Sequence, residues 1–317
     1  MAYILLILGF ILLIKGAGYF VEGASSIAKI LRVPPILIGL TIVAFGTSAP
    51  EGAVSIQAAI KGNNGMAMGN IIGSNMFNMS LVIGIAAMIY PLKVEMETIR
   101  KEIPFVLLAS ILLEILIMDQ FIEKRSIDVL SRVDGFVLMC FFIIFLYYLY
   151  EVARKSREKI SEVDKNQKYS TGKSILFTMG GLAGIIIGGE VVVRNSMQIA
   201  KEFGLSDTLI GMTIVSLGTS LPELITCVTA TLKKQSDIAI GNIVGSNIFN
   251  TLFVLGTSSI ISPLVLEGKM FIDVMFMIVY TFILLIFSIL HQKVVRWEGA
   301  VLILSYVIYL IYVIMNK

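Results

Sequence analysis

Apolar residues fill long blocks of this chain, separated by short polar connections, without the alternation of a half-buried strand. Blocks lie near 2–23, 35–60, 66–89, 103–119, 135–153, 174–200, 207–232, 237–261, 270–290 and 298–315. Each is close to, or longer than, the ~20 residues that carry a helix across a bilayer. The pattern predicts an all-α polytopic membrane protein of about ten transmembrane helices, its main partner the lipid bilayer. Continuous blocks argue against a transmembrane barrel, whose strands alternate. The first block lacks a basic leader and a small-residue cleavage site, so it is expected to remain as a span.

The blocks are written twice. With Gly46 laid on Gly218, an offset of 172, IGLTIV (38–43) falls on IGMTIV (210–215). GTSAPE (46–51) falls on GTSLPE (218–223), GNIIGSNMFN (69–78) on GNIVGSNIFN (241–250), and Pro91 on Pro263. So long a period is an internal duplication rather than a solenoid repeat. Corresponding spans are five apart, and an odd interval makes the second half enter the membrane in the opposite direction. The expected organisation is a first five-helix repeat over 1–153, a cytoplasmic linker over 154–173, and a second, inverted repeat over 174–317, as in many secondary transporters. The charged connection between them is too short for a folded regulatory domain. Connections on one side of the membrane hold 16 Lys and Arg against 7 on the other. The richer side is expected to be cytoplasmic, which places both termini outside a plasma membrane.

Polar residues interrupt the apolar blocks at matching places. Pro50 and Pro222 cannot donate a backbone hydrogen bond and sit four residues after Gly46 and Gly218, so the helix is expected to unwind there and release carbonyl oxygens. Irregular backbone at that depth is tolerated only where protein packs it or a cavity adjoins it. Thr47, Ser48 and Glu51, with Thr219, Ser220 and Glu223, add hydroxyl and carboxylate oxygens. Such hard ligands suit Na⁺ and Ca²⁺ and select against Cu and Zn. Ser74 and Asn78 lie four apart on one helical face, as do Ser246 and Asn250. An intramembrane carboxylate costs roughly 2.5–3.5 kcal/mol even on a lenient insertion scale, and so marks a functional site. Asn70 and Asn242, one turn back, are expected to be structural, gluing helices together. Lys15 and Glu22 could face one another, and Glu190 with Arg194 suits an ion pair.

Composition narrows the chemistry further. Hydrophobic residues make up 57% and charged residues 15%, with a mean hydropathy of +0.90, which excludes an ordinary soluble domain. A net charge of +3 is too small to point to nucleic acid. The single histidine, His291, lies in a short basic loop and is expected to be solvated. Cys140 and Cys227 both fall in apolar segments as buried, inert thiols. A soft-metal site or a His-based triad therefore has little to build on, and no cofactor or enzymatic activity is implied.

Two inverted halves, each carrying GTS-x-PE followed by G-N-x-x-G-S-N-x-x-N, resemble the sodium/calcium exchanger branch of the calcium/cation antiporter superfamily in its compact prokaryotic form. The resemblance covers essentially the whole chain. It implies that Glu51 and Glu223 bind Ca²⁺ together with the backbone carbonyls of Thr47 and Thr219. It implies sodium sites built from the hydroxyls of Thr47, Ser74 and Ser220 on one side and of Ser48, Thr219 and Ser246 on the other. The carbonyls of Ala44 and Ser216 fit the remaining matched positions, and Asn78 and Asn250 complete the middle of the cluster. The chain departs from the pattern at Asn250, commonly an Asp in these exchangers. The matched site then carries two formal charges, enough to neutralise one Ca²⁺ or two Na⁺ but not a larger sodium load.

The function this implies is secondary active antiport, with Na⁺ entry driving Ca²⁺ export and both ions competing for one mid-membrane site. A monomer suffices for that, since the symmetry lies within one chain. Alternating access would move spans 1 and 6, whose glycines (Gly9, Gly16, Gly18; Gly181, Gly188, Gly189) suit close sliding contact. A Ca²⁺/H⁺ antiporter is the alternative, because a dehydrated Glu can exchange a proton for the cation. A carboxylate-lined cation channel is less consistent, since such filters usually form between identical subunits. An intramembrane hydrolase built on Ser48 and Glu51 lacks a matched base.

Overall fold

The computed structural model describes residues 2–122, 124, 127–159, 169–203, 216–266 and 270–315. The described chain is almost wholly helical, in the order α1 (Ala2–Leu31), α2 (Pro35–Thr47), α3 (Ala49–Ile60), α4 (Asn64–Ile89), α5 (Ile103–Leu116), α6 (Asp119–Ile122), α7 (Arg132–Lys159), α8 (Thr171–Glu202), α9 (Ser216–Thr219), α10 (Leu221–Leu232), α11 (Ser236–Ile261), α12 (Met270–His291) and α13 (Arg296–Met315). Among the described residues seven helices are long and apolar enough to cross a membrane, or eight if α2 and α3 form one broken span. Two shorter helices stand in the remaining expected blocks: α5, preceded by a π-turn over Thr98–Glu102, and α10. The expected span at 207–232 lies in part outside the described residues, as does part of the linker.

The duplication is visible element by element. Ala49–Ile60 and Leu221–Leu232, and Ile83–Ile89 and Leu255–Ile261, are the same helices shifted by the 172-residue offset. The two-residue strand β1 (Leu92–Lys93) corresponds in the same way to β3 (Leu264–Val265). β1 pairs antiparallel with β4 (Lys293–Val294), Leu92 opposite Val294. β3 pairs with β2 (Val129–Leu130), Leu264 opposite Leu130, so each small ladder joins one repeat to the other.

Both helix breaks fall at serine, two residues before the proline rather than at it. Ser48 (φ −83°, ψ 2°) and Ser220 (φ −89°, ψ 3°) adopt nearly the same bridge conformation. Pro50 and Pro222 then occupy the second position of the helix that follows, where no intrahelical donor is required. The proline starts a new helix instead of kinking an old one.

The chain packs as two compact units, and each draws on both halves of the duplication. The first comprises Met1–Pro50 and Leu149–Asn242. Its largest contact is α1 against α8, two helices of 30 and 32 residues. At 1.5 Å per residue α1 is about 45 Å long, well beyond the ~30 Å hydrocarbon core, so it must tilt or overhang. Glycines bring the two backbones together: a Cβ on Gly16 would lie 2.9 Å from the Gly181 carbonyl, and one on Gly188 would lie 2.7 Å from the Leu13 amide. Gly9 and Gly181 share this contact, whereas Gly18 and Gly189 have room for a side chain, and Gly23 and Gly184 take their place along the crossing. Gly16→Val is expected to overpack the crossing by about 1–3 kcal/mol and lower the melting temperature of the detergent-purified protein. Gly180→Val, on the same helix where a Cβ would meet nothing within 4 Å, should not. Equal effects of the two would rule out the crossing as the cause.

Glu22 of α1 does not engage Lys15. Its Oε1 accepts from Lys233 Nζ at 2.7 Å and its Oε2 from the Tyr169 hydroxyl at 3.0 Å, while Lys233 also donates to the Gly18 carbonyl. No ion pair joins Glu190 and Arg194, both described; Glu190 is exposed.

The second unit comprises Glu51–Tyr148 and Ile243–Lys317. Here α4 packs against α12, α13 and the part of α11 beyond residue 242. The apolar stretch of α4 is 78% buried, against 22% for α7 and 28% for α12, so α4 is interior and the others offer an apolar outer face. Two departures from expectation lie in this unit. His291 is paired rather than simply solvated, its Nδ1 3.0 Å from Oε1 of the buried Glu298. Cys140 is exposed, and Cys227, in the first unit, is buried.

Candidate functional site

The polar residues singled out above fall into two groups, one in each unit. In the first unit Ala44, Thr47 and Ser48 close α2, and Ser216, Thr219, Ser220 and Glu223 lie at the corresponding break between α9 and α10. Thr47, Ser48, Ser220 and Glu223 are all buried, and Thr219 is half-buried; the side chain of Ser216 lies outside the described set. Ser48 stands where a serine would cap the following helix, three residues before Glu51 in the S-x-x-E arrangement of a capping box. Its hydroxyl instead donates to Glu223 Oε1 at 2.9 Å. That contact joins the GTS-x-PE motif of one repeat to that of the other. Glu223 sits in the first turn of α10, where the helix dipole favours a negative charge. Its second oxygen, Oε2, is buried and accepts no hydrogen bond among the described residues.

Thr47 Oγ1 has three acceptors in reach: the Val43 carbonyl at 3.1 Å, the Ala44 carbonyl at 3.3 Å and Asn242 Oδ1 at 3.0 Å. One hydroxyl proton serves one of them at a time, and the oxygen keeps lone pairs for another ligand. The Ala44 carbonyl also accepts from the Ser48 amide at 3.0 Å. Pro50 has no N–H to offer the Gly46 carbonyl, so the interruption withholds one intrahelical donor at that point.

In the second unit Glu51, Ser74, Asn78, Ser246 and Asn250 are buried, Glu51, Asn78, Ser246 and Asn250 completely. Ser74 Oγ lies 3.4 Å from Glu51 Oε1, a long hydrogen bond. Asn70 Nδ2 donates to the Glu51 carbonyl at 3.2 Å and to Ser55 Oγ at 2.9 Å, bonding α4 to α3. Asn242, its counterpart in the first unit, meets a proposed ligand directly through Thr47.

Asn78 and Asn250 each lie in a π-helical segment, Asn78–Val82 and Phe249–Val254. These turns, a common accompaniment of functional sites, interrupt the i to i+4 stripe at the amide itself. Nothing in NMSLV or FNTLFV announces them. Asn78 Nδ2 donates to Asn247 Oδ1 and Asn250 Nδ2 to Asn75 Oδ1, both at 3.2 Å. The Oδ1 atoms of Asn78 and Asn250 are buried and have no hydrogen-bond partner among the described residues. An orphaned buried acceptor costs about 1–3 kcal/mol, which a bound cation would offset. Asn75 and Asn247 were not picked out by the i, i+4 stripe because they stand one residue off it; their recurrence in both motif copies was the available signal. Among the described residues no three His, Cys, Asp or Glu side chains converge. Any cation site here therefore draws most of its ligands from hydroxyls, amides and backbone carbonyls, which suits hard ions.

The description "sodium/calcium exchanger protein" belongs to the family model that matches the chain twice, over residues 1–151 and 173–315. The chain is 38% identical to the CaxA protein of Alkalimonas amylolytica, over 97% of each sequence. It is 34% identical to the sodium/calcium exchanger MaX1 of Methanosarcina acetivorans, over 98% of this chain and 97% of the other. Its fold superposes on the solved structure of the sodium-calcium exchanger NCX_Mj soaked without Na⁺ and Ca²⁺, with a TM-score of 0.84 and 31% identity over 98% of both chains.

Proposed function

The chain belongs to the sodium/calcium exchanger protein family, a family of cation antiporters and not of enzymes, and from that premise we propose that it exports Ca²⁺ by letting Na⁺ down its inward gradient. Ca²⁺ and Na⁺ compete for one set of oxygens, so the protein carries one or the other across and never both together. Glu51 and Glu223 supply the charge. Thr47, Ser48, Thr219, Ser220, Ser74 and Ser246 supply hydroxyls, Ala44 and Ser216 carbonyls, and Asn78 and Asn250 amide oxygens. The observation that carries this reading is the buried Glu223, held by Ser48 of the other repeat through one oxygen while the second accepts nothing from the described residues. The close relative MaX1 is named a sodium/calcium exchanger, and NCX_Mj has been soaked with both Na⁺ and Ca²⁺, which supports these ions as the cargo.

The proposed arrangement is two inverted five-helix repeats, 1–153 and 174–317, joined by a cytoplasmic linker at 154–173. Both termini lie outside the plasma membrane, in keeping with the Lys and Arg bias. A single chain carries out transport, with α1 and α8 moving as the gate. Competition is directly testable. Na⁺ should displace Ca²⁺ from the purified protein with an apparent Ca²⁺ affinity that falls steadily as Na⁺ rises, and a plateau in that fall would show both ions bound at once.

A second reading rests on Asn250. With amides at both 78 and 250 the site carries two charges, matched by one Ca²⁺ or by two protons. Ca²⁺ uptake into everted vesicles separates the two. Uptake that ignores Na⁺ and stops when the pH gradient is collapsed would establish Ca²⁺/H⁺ exchange instead.

A further inference from the structure

An asparagine amide has nearly the same shape after its O and N exchange places, yet the exchange swaps a cation ligand for a pair of N–H donors. A site that uses neutral amides in place of carboxylates must therefore fix which way each amide faces. In the second unit two hydrogen-bond chains do this, and each ends on a group that can only accept.

The first chain ends on a backbone carbonyl. Asn247 Nδ2 donates to the Asn75 carbonyl at 3.2 Å, and a carbonyl cannot donate in return. Asn247 Oδ1 is thereby turned towards Asn78, which must present its Nδ2, at 3.2 Å. The Oδ1 of Asn78 is left without a hydrogen-bond partner among the described residues. The second chain ends on a thioether. Asn75 Nδ2 lies 3.5 Å from Met277 Sδ and 2.8 Å from Thr251 Oγ1, and the sulfur can only accept. Asn75 Oδ1 is thereby turned towards Asn250, which presents its Nδ2 at 3.2 Å and leaves its own Oδ1 uncommitted. All four asparagines are buried, so water does not compete for these positions. The two chains relate residues 75, 78, 247 and 250 by the same offset as the duplication, although their anchors differ.

We infer that Asn75 and Asn247 are positioning residues, which lock the amides of Asn250 and Asn78 with oxygen rather than N–H₂ free for the transported cation. The inference rests on the reading of Asn78 and Asn250 as ligands. It explains how the chain binds cations without an acid at position 250: an aspartate offers two equivalent oxygens and needs no orientation, whereas an asparagine needs a fixed acceptor beside it.

A double-mutant cycle on Ca²⁺ binding to the purified full-length protein tests this. Asn75→Leu removes the acceptor that orients Asn250, and should weaken Ca²⁺ binding about tenfold. In a protein already carrying Asn250→Asp, the same change should weaken it less than about twofold, because the carboxylate no longer depends on Asn75. A merely structural asparagine would give the same loss in both backgrounds, and that result, or no loss in either, overturns the inference. If Asn75→Leu does not fold, the symmetric arm decides by the same criterion: Asn247→Leu alone against Asn247→Leu with Asn78→Asp. Glu223→Gln, measured alongside, keeps the two claims apart. Intact Ca²⁺ binding in that variant would overturn the site itself and the positioning role with it. Loss of binding there, with equal Asn75 effects in both backgrounds, would overturn only the positioning role.

Discussion

Glu223→Gln is expected to abolish cation exchange while leaving the protein folded. Glutamine keeps the shape of the side chain and an oxygen to accept from Ser48, so the 2.9 Å contact between the motif copies survives. What disappears is half the negative charge of the proposed site. Removing one member of a buried charge pair, here carboxylate and cation, costs about 3–5 kcal/mol, or roughly 10²–10⁴-fold in Ca²⁺ affinity. The ion-free protein should not lose stability, since a buried carboxylate whose second oxygen has no partner among the described residues is itself a burden on the fold. Unchanged thermal stability with lost Ca²⁺ flux is therefore the expected signature. Glu51→Gln should repeat it, because Glu51 occupies the same place in the other motif copy and is equally buried. Transport near the wild-type rate in either variant would contradict the assignment.

Asn250→Asp should act in the opposite direction. It adds a third carboxylate to the proposed set and removes the Nδ2 that donates to Asn75 Oδ1. Two acceptors would then face each other, so Asn75 must turn its amide and give up Met277, while the Thr251 hydroxyl can donate to the turned oxygen. That rearrangement costs on the order of one hydrogen bond, about 1 kcal/mol. A third charge next to a bound divalent ion outweighs it, and Ca²⁺ should bind about tenfold more tightly or better. The extra charge also raises the number of Na⁺ ions the site can neutralise, so the dependence of exchange on Na⁺ should steepen. Titration of Ca²⁺ flux against Na⁺ in the variant checks both effects. If neither affinity nor Na⁺ steepness changes, the residue at 250 does not set the charge balance of transport.

The spans and the duplication were legible because both rest on strong, long-range signals. Helices α3 and α10 begin and end at matching residues because their breaks are written by the same SxPE chemistry. The position of the break was less legible. A proline was expected to unwind a helix, but a proline two residues after a serine is well placed to begin one. The π-turns at Asn78 and Asn250 carry no compositional mark, and two-residue strands have no periodicity to read. Glu22 finds Lys233, more than two hundred residues away, instead of a neighbour on its own helix, because helix packing decides which charges meet. Asn75 and Asn247 escaped for a related reason. Helical spacing shows which residues share a face, and their role comes from bonds to the other repeat's motif rather than from the face they occupy.

The account as a whole turns on Na⁺-driven Ca²⁺ movement that needs both glutamates. The most direct test is Ca²⁺ uptake by proteoliposomes loaded with Na⁺, diluted into Na⁺-free medium with the pH clamped equal on both sides. Uptake that rises with the imposed Na⁺ gradient, survives a protonophore and vanishes in Glu51→Gln and Glu223→Gln is the predicted result. Uptake that is indifferent to Na⁺ and appears only under an imposed pH gradient, or that persists in both glutamine variants, would contradict it.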